Sequence, residues 1–280
     1  MSSDKDSQIN RPQPPVDLSG IFELEHHGPD VWVGESPQYH WGRIYGGLVI
    51  AQALWSATQT VVEEHAVHSL HGYFILGGNP EEPVRYEVDR IRNGRSFTTR
   101  RVVARQSGGA IFNLSCSFQR FEEGVETQTA DFPADAPAPS GLEPYREGSG
   151  IDRIDVKLGP DQPRSLAWCR FPAPLPADPR VHACALAYLS DTNPMDAVAT
   201  AHPNGMPDPE AWHETYMTAS LDHAMWFHRP ADADDWLLQD MDGHGIIRTR
   251  GLSTGHVFTE DGQHIATIAQ EGLIRDLSDR

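Results

Sequence analysis

Apolar and polar positions alternate with a period of two in four successive runs, HSLHGYFIL, VRYEVDRIR, SFTTRRVVARQ and AIFNLSCSFQRF, each of strand length. GGNPEEP, NG and SGG separate them. These are turn-forming stretches, so the four runs predict an antiparallel sheet joined by hairpins. Just upstream the period changes. After Gly46-Gly47 the apolar positions Leu48, Ile50, Ala51, Leu54 and Ala57 have helical spacing, which predicts a buried helix starting at a glycine turn. The preceding IFELEHHGPDVWVGESPQYH reads as one or two strands.

The same order then recurs. A strand around SLAWCRFPAPL leads to an apolar helix, RVHACALAYLSD. The strand-like segments ETYMTASLDHAMWFHR, DWLLQDM, GIIRTRGLSTGHVFT and HIATIAQEGLIR follow. Ser69-Leu70 overlies Ser220-Leu221 and Gly94 overlies Gly245, both 151 residues apart, and Gly109 overlies Gly262, 153 apart. Solenoid repeats run to roughly 20–50 residues, so this offset reads as two copies of one small α+β domain. The expected organisation is a tail at 1–18, a first domain at 19–121, a Pro/Ala/Gly-rich linker at 122–162 and a second domain at 163–280. In each domain a sheet wraps one long helix. The exposed edge of one sheet is a natural partner for the other, which predicts an intramolecular pair.

Composition narrows the function. A formal charge of −18 argues against nucleic acid or an anionic membrane as partner. No stretch approaches the roughly 20 apolar residues of a membrane span, and the polar, Pro-rich start lacks the apolar core of a secretory signal. Three cysteines, odd in number and set in apolar contexts, suggest buried free thiols and a cytoplasmic location. One basic window stands out: Arg90, Arg92, Arg95, Arg100, Arg101 and Arg105, with no acid among them. It fits either a strand pair whose arginines answer acidic neighbours or a local phosphate site.

HExxH, CxxC and GxSxG are all absent, so neither a metal site nor a serine-hydrolase elbow is expected, and no cofactor is implied. Asp222-His223 looks like a dyad, but adjacent strand residues face opposite sides of a sheet. Asp191 ends the apolar run ACALAYLS. A carboxylate there meets the unfavourable end of the helix dipole, and burial would raise its pKa further. The alternative is an ordinary turn-capping Asp before Asn193-Pro194. Ser220 lies within a strand-like run, where a plain strand serine is the default. Gln270 shares a face with Ile268 and Ile274, where a polar side chain needs a partner.

GRIYGGLVIAQAL, VHSLHGYF, RNGRSFTTRRVVARQ and SLDHAMWFHR…AQEG resemble the type II acyl-CoA thioesterases, which carry two hotdog domains in one chain. The resemblance runs from about residue 35 to the end. It implies a catalytic set of Asp191 in YLSDTNP, Ser220 in ASLDHAMWFH (where the family has Thr or Ser) and Gln270 in IAQEG. These would direct a water at the thioester carbonyl. It also implies acyl-CoA as substrate, Gly46 and Gly47 beside the oxyanion, and homo-oligomers of double-hotdog chains. Arg92, Arg95, Arg100 and Arg101 are candidates for the CoA phosphates. In the first copy Ser69, Ser117 and Gln52 match Ser220, Gln270 and Asp191, so only the second copy carries the acid. SDTNPMDA is also similar to the hotdog enoyl-CoA hydratase motif, but Asp196 stands where that motif has its catalytic His. A third alternative is a non-catalytic acyl-CoA-binding module.

Overall fold

A computed structural model describes residues 16–159, 162–203 and 215–277. Most of the expected 1–18 tail lies outside this range, as does Glu214, the start of the ETYMTASLDHAMWFHR segment. The first half contributes β1 (Glu25–His26), β2 (Val31–Gly34), α1 (Gly46–Thr58), β3 (His65–Phe74), β4 (Val84–Asn93), β5 (Phe97–Gln106) and β6 (Gly109–Arg120). The period-two runs become strands because one face is buried. Along β6 Phe112, Leu114, Cys116 and Phe118, every second position, are buried, and Ile111 is buried on the other face. α1 is buried on nearly every side and packs on β4, β5 and β6.

The segment expected to be a linker is more ordered than its composition suggests. It holds a 3-10 turn at Pro139–Gly141 and two short strands, β7 (Tyr145–Arg146) and β8 (Asp152–Asp155). β8 pairs with β9 (Arg164–Arg170), which extends the sheet. Phe132, Ala136 and Leu142 lie over Trp168, Leu238 and Phe258, so this stretch covers the outer face of the second half. Then come α2 (Pro179–Leu189), α3 (Pro194–Thr200), β10 (Tyr216–Ser220), β11 (Asp222–Phe227), β12 (Leu237–Ile247), β13 (Arg250–Thr259) and β14 (His264–Asp276). Asp178 caps α2 by accepting from the Arg180 N–H, with Pro179 at the first helical position.

Among the described residues the strands form one antiparallel sheet. Its order is β1-β2-β4-β5-β6-β3-β11-β14-β13-β12-β9-β8-β7, with β10 also on β14. First-half strands therefore occupy one side and second-half strands the other, joined where β3 meets β11. There Leu70 lies opposite Met225 and Gly72 opposite His223. α1 packs against α2, and one apolar core spans both halves. Cys116, Cys169 and Cys184 are free and buried in it. No helix among the described residues is long and apolar enough to cross a membrane.

Candidate active site

A cavity of about 1010 Å³ opens between the halves. Ile44, Gly46, Val49 and Phe74 line it from the first half, and Asp191, Met195 and Ser220 from the second. α1 begins at this wall without a side-chain cap of its own. Asp191 stands two residues beyond the end of α2, where its carboxylate faces the start of α1. A Cβ on Gly46 would lie 2.6 Å from its Oδ2, so only glycine leaves room for the acid. Burial pushes the Asp191 carboxyl up to about 7. Hydrogen bonds from the Gln270 side chain, the Gly47 amide and the Ser220 hydroxyl pull the other way.

Ser220 is placed by a break in the strand. β10 ends at Ser220 and β11 begins at Asp222. Leu221 between them donates its N–H to the Glu271 carbonyl, and its own carbonyl accepts from Phe74 N–H across the junction. The Ser220 Oγ is 3.4 Å from Asp191 Oδ1 and accepts from Gln270 Nε2 at 2.9 Å. Gln270 is fully buried in the row Ile268, Gln270, Ile274, the face its spacing indicated. The three residues singled out in the second half thus form one hydrogen-bonded group at the cavity wall.

The turn after Asp191 is held from beneath. Arg153 is buried, with Nη1 donating to the Thr192 carbonyl at 3.1 Å and Nη2 to Asn193 Oδ1 at 3.2 Å and Asp196 Oδ2 at 2.6 Å. Asp196 is therefore committed to an ion pair at the position where the hydratase motif carries a free His. Sequence reasoning missed Arg153, which lies in the stretch read as linker. It also set His223 aside. Asp222 and His223 do face opposite ways: Asp222 Oδ1 accepts from the Glu271 amide, while His223 is buried. Yet His223 touches Gln270, and the available signal was a polar residue on the inward face of a strand, in step with Met225.

The arginine cluster lies apart from this cavity. None of Arg92, Arg95, Arg100 and Arg101 lines the cavity. The sheet register sets Asp89 opposite Arg101, and the two form an ion pair. Arg90 pairs with Asp30 and Arg105 with Glu87, so the acids missing from the window come from β4 and from the turn before β2. Arg92 and Arg95 are exposed. Arg100 is buried, donating to Thr60 Oγ1 at 2.6 Å and the Thr60 carbonyl at 2.9 Å. Thr60 stands two residues beyond the end of α1, so this guanidinium anchors the turn that follows the helix. Gln52, matched with Asp191 in the sequence, does not line the cavity. It lies in mid-helix, where its Nε2 donates to the Ile21 and Glu35 carbonyls and its Oε1 accepts from Tyr86. Ser117 lies opposite Ser69, whereas Ser220 lies opposite Gly272, so Ser117 and Gln270 are not equivalent. No group of three or more His, Cys, Asp or Glu among the described residues is arranged to hold a metal.

Comparison with known proteins identifies the family. The family model described as acyl-CoA thioesterase matches residues 157–273, and that of the acyl-CoA thioesterase N-terminal domain matches 36–119. Acyl-CoA thioesterase 2 of Haemophilus influenzae is 32% identical, covering 92% of this chain and 96% of its own. The crystal structure of an acyl-CoA thioesterase II, TesB2, from Mycobacterium marinum is 38% identical. It covers 93% of this chain and 97% of its own, with a TM-score of 0.79. A protein of unknown function with a hot dog fold from Alicyclobacillus acidocaldarius matches at a TM-score of 0.73 and 18% identity, covering 91% and 96%, and so speaks to the fold alone. With two family models in tandem, relatives that run nearly end to end and a hotdog-type antiparallel sheet, the chain belongs to the type II acyl-CoA thioesterases.

Proposed function

We propose that the chain hydrolyses acyl-CoA thioesters to a free acid and CoA by direct attack of a water held by Asp191, Ser220 and Gln270. One observation carries this reading: a buried carboxyl raised to about 7 lines the cavity, bonded to a hydroxyl and an amide. Near that pKa a carboxylate is a competent base at neutral pH. The water oxygen bonds to the thioester carbon while its proton passes to Asp191. The carbonyl oxygen takes up negative charge beside the α1 terminus at Gly46, where amide groups and the helix dipole favour an anion. The tetrahedral species then expels the CoA sulfur as the C–S bond breaks, and Asp191 returns the proton to it. A thiolate leaves readily, so no acyl-enzyme is needed. Ile44, Val49, Phe74 and Ile111 offer the acyl chain an apolar wall.

The tandem arrangement belongs to the same reading. Residues 19–121 and 163–280 act as paired hotdog domains with one working site, supported by the strand order and by the grouping of Asp191, Ser220 and Gln270 in the second half. Homo-oligomers are expected as well, and sedimentation tests that.

The decisive assay follows free thiol and enoyl absorbance with saturated and 2-enoyl-CoA substrates. Thiol release is expected, falling about 10²–10⁴-fold in Asp191→Ala. In the native enzyme kcat/KM should rise with pH through about 7, as Asp191 ionises, and then level off. Loss of enoyl absorbance without thiol release would overturn the proposal in favour of hydration. Binding without turnover would favour a carrier module.

A further inference from the structure

The residue in deepest contact with the proposed site, yet without a role in it, is His223. It is buried inside the sheet, with both ring nitrogens engaged. Nδ1 is 2.5 Å from Gln270 Oε1, and Nε2 is 2.8 Å from Ser190 Oγ. Ser190 ends α2 and immediately precedes Asp191, so the imidazole links the two segments that supply Asp191 and Gln270.

With Asp191 ionised, the hydrogen-bond polarity around Gln270 selects one orientation of its amide. Asp191, when ionised, accepts only, so the Gln270 and Ser220 groups facing it must donate. Gln270 then presents its NH2 to Ser220 and Asp191 and its carbonyl oxygen to His223. That oxygen accepts only, so His223 must carry a proton on Nδ1. Burial drives the imidazole pKa down to about 4, which keeps the ring neutral and leaves Nε2 bare beside the Ser190 Oγ, whose one proton lies between Nε2 and the Ala187 carbonyl, each 2.8 Å away. The opposite tautomer would turn the Gln270 amide over and aim its carbonyl oxygen at the Asp191 carboxylate, acceptor against acceptor.

We propose that His223 is a positioning residue that, through its Nδ1–H, fixes the Gln270 amide with its NH2 toward Ser220 and Asp191. This rests on the hydrolytic reading above for its consequence, though not for its geometry. A directed chain results: His223 donates to Gln270, Gln270 to Ser220, and Ser220 to Asp191. The water-binding groups thereby lose the freedom to reverse, which is the use of an outer partner that touches no substrate.

Two measurements test it. Nitrogen NMR of His223 in the native protein should find Nδ1 protonated and Nε2 unprotonated, and the reverse tautomer overturns the proposal whether or not the protein turns over acyl-CoA. In the thiol-release assay, His223→Leu, which keeps bulk but no N–H, should lower kcat about 10–100-fold. KM should stay within about twofold, because substrate contacts are untouched. His223→Asn, whose amide nitrogen overlies Nδ1, should recover part of the loss. In a Gln270→Ala background, where the imidazole has nothing to orient, His223→Leu should change kcat by less than about twofold. An equal penalty in both backgrounds, or His223→Asn as impaired as His223→Leu, overturns the proposal. If the variants fold poorly, the tautomer measurement decides. Absence of thiol release from the native protein with the Nδ1–H tautomer present would sink the hydrolytic reading alone.

Discussion

At the scale of the residue, Asp191 stands between opposed helix ends. It follows the C-terminus of α2, where the dipole disfavours a negative charge, and faces the N-terminus of α1, where the dipole favours one. Desolvation outweighs both the dipole and the donors, so the carboxyl titrates near 7 instead of its ordinary 3.8. A carboxyl raised on folding makes stability fall as pH rises. Between about pH 4 and 7 the folded chain holds a proton that the unfolded chain has released. Asp191→Asn should therefore be more stable than the native protein at pH 8, by roughly 2–4 kcal/mol, and show no such gain at pH 3.5. Urea denaturation at the two pH values checks this, and an equal gain at both would rule out ionisation as the cause. Arg100 illustrates the opposite use of buried charge. It is satisfied by Thr60, by Asn93 Oδ1 at 2.7 Å and by two main-chain carbonyls, and contributes order with no access to the cavity.

At the scale of the element, α1 and α2 approach unusually closely. A Cβ on Gly47 would lie 2.4 Å from the Tyr188 carbonyl oxygen, and a main-chain atom cannot swing aside as a side chain can. Gly47→Ala should cost about 1–3 kcal/mol in thermal melts. It should also depress thiol release, since the same displacement carries Asp191 away from α1. An unchanged melting temperature would contradict the helix contact. Elements with strong periodicity were legible in the sequence: α1, the hairpin strands, and β14 with Gln270 on its inward row. Short or compositionally bland ones were not. α3 has only seven residues, the first of them Pro194, and β7 and β8 sit in a Pro- and Gly-rich stretch whose pairing depends on an edge that exists only once β9 is in place. For the same reason the acids answering the arginines were invisible. Asp30, Glu87 and Asp89 reach them through sheet register and not through sequence neighbourhood.

At the scale of the whole molecule, the β3–β11 junction and the shared core should hold the halves together without a covalent link. Val125 is 95% exposed between them, so a protease site inserted there should be cut freely. The nicked protein should elute at its native size and still release thiol. Separation of the fragments without denaturant would mean that the connection, not the packing, maintains the site. The pairing of Gly72 with His223 carries a last consequence. The 151-residue offset of the repeat superposes these two positions on each other, and the sheet places them side by side. In an assembly of two identical chains a self-paired position on the symmetry axis must hold the same residue twice, and two imidazoles would compete for one central space. A single chain escapes that rule. One copy keeps the histidine, the other is reduced to glycine with Phe112 packed against it, and the centre of a nearly symmetric fold acquires a direction.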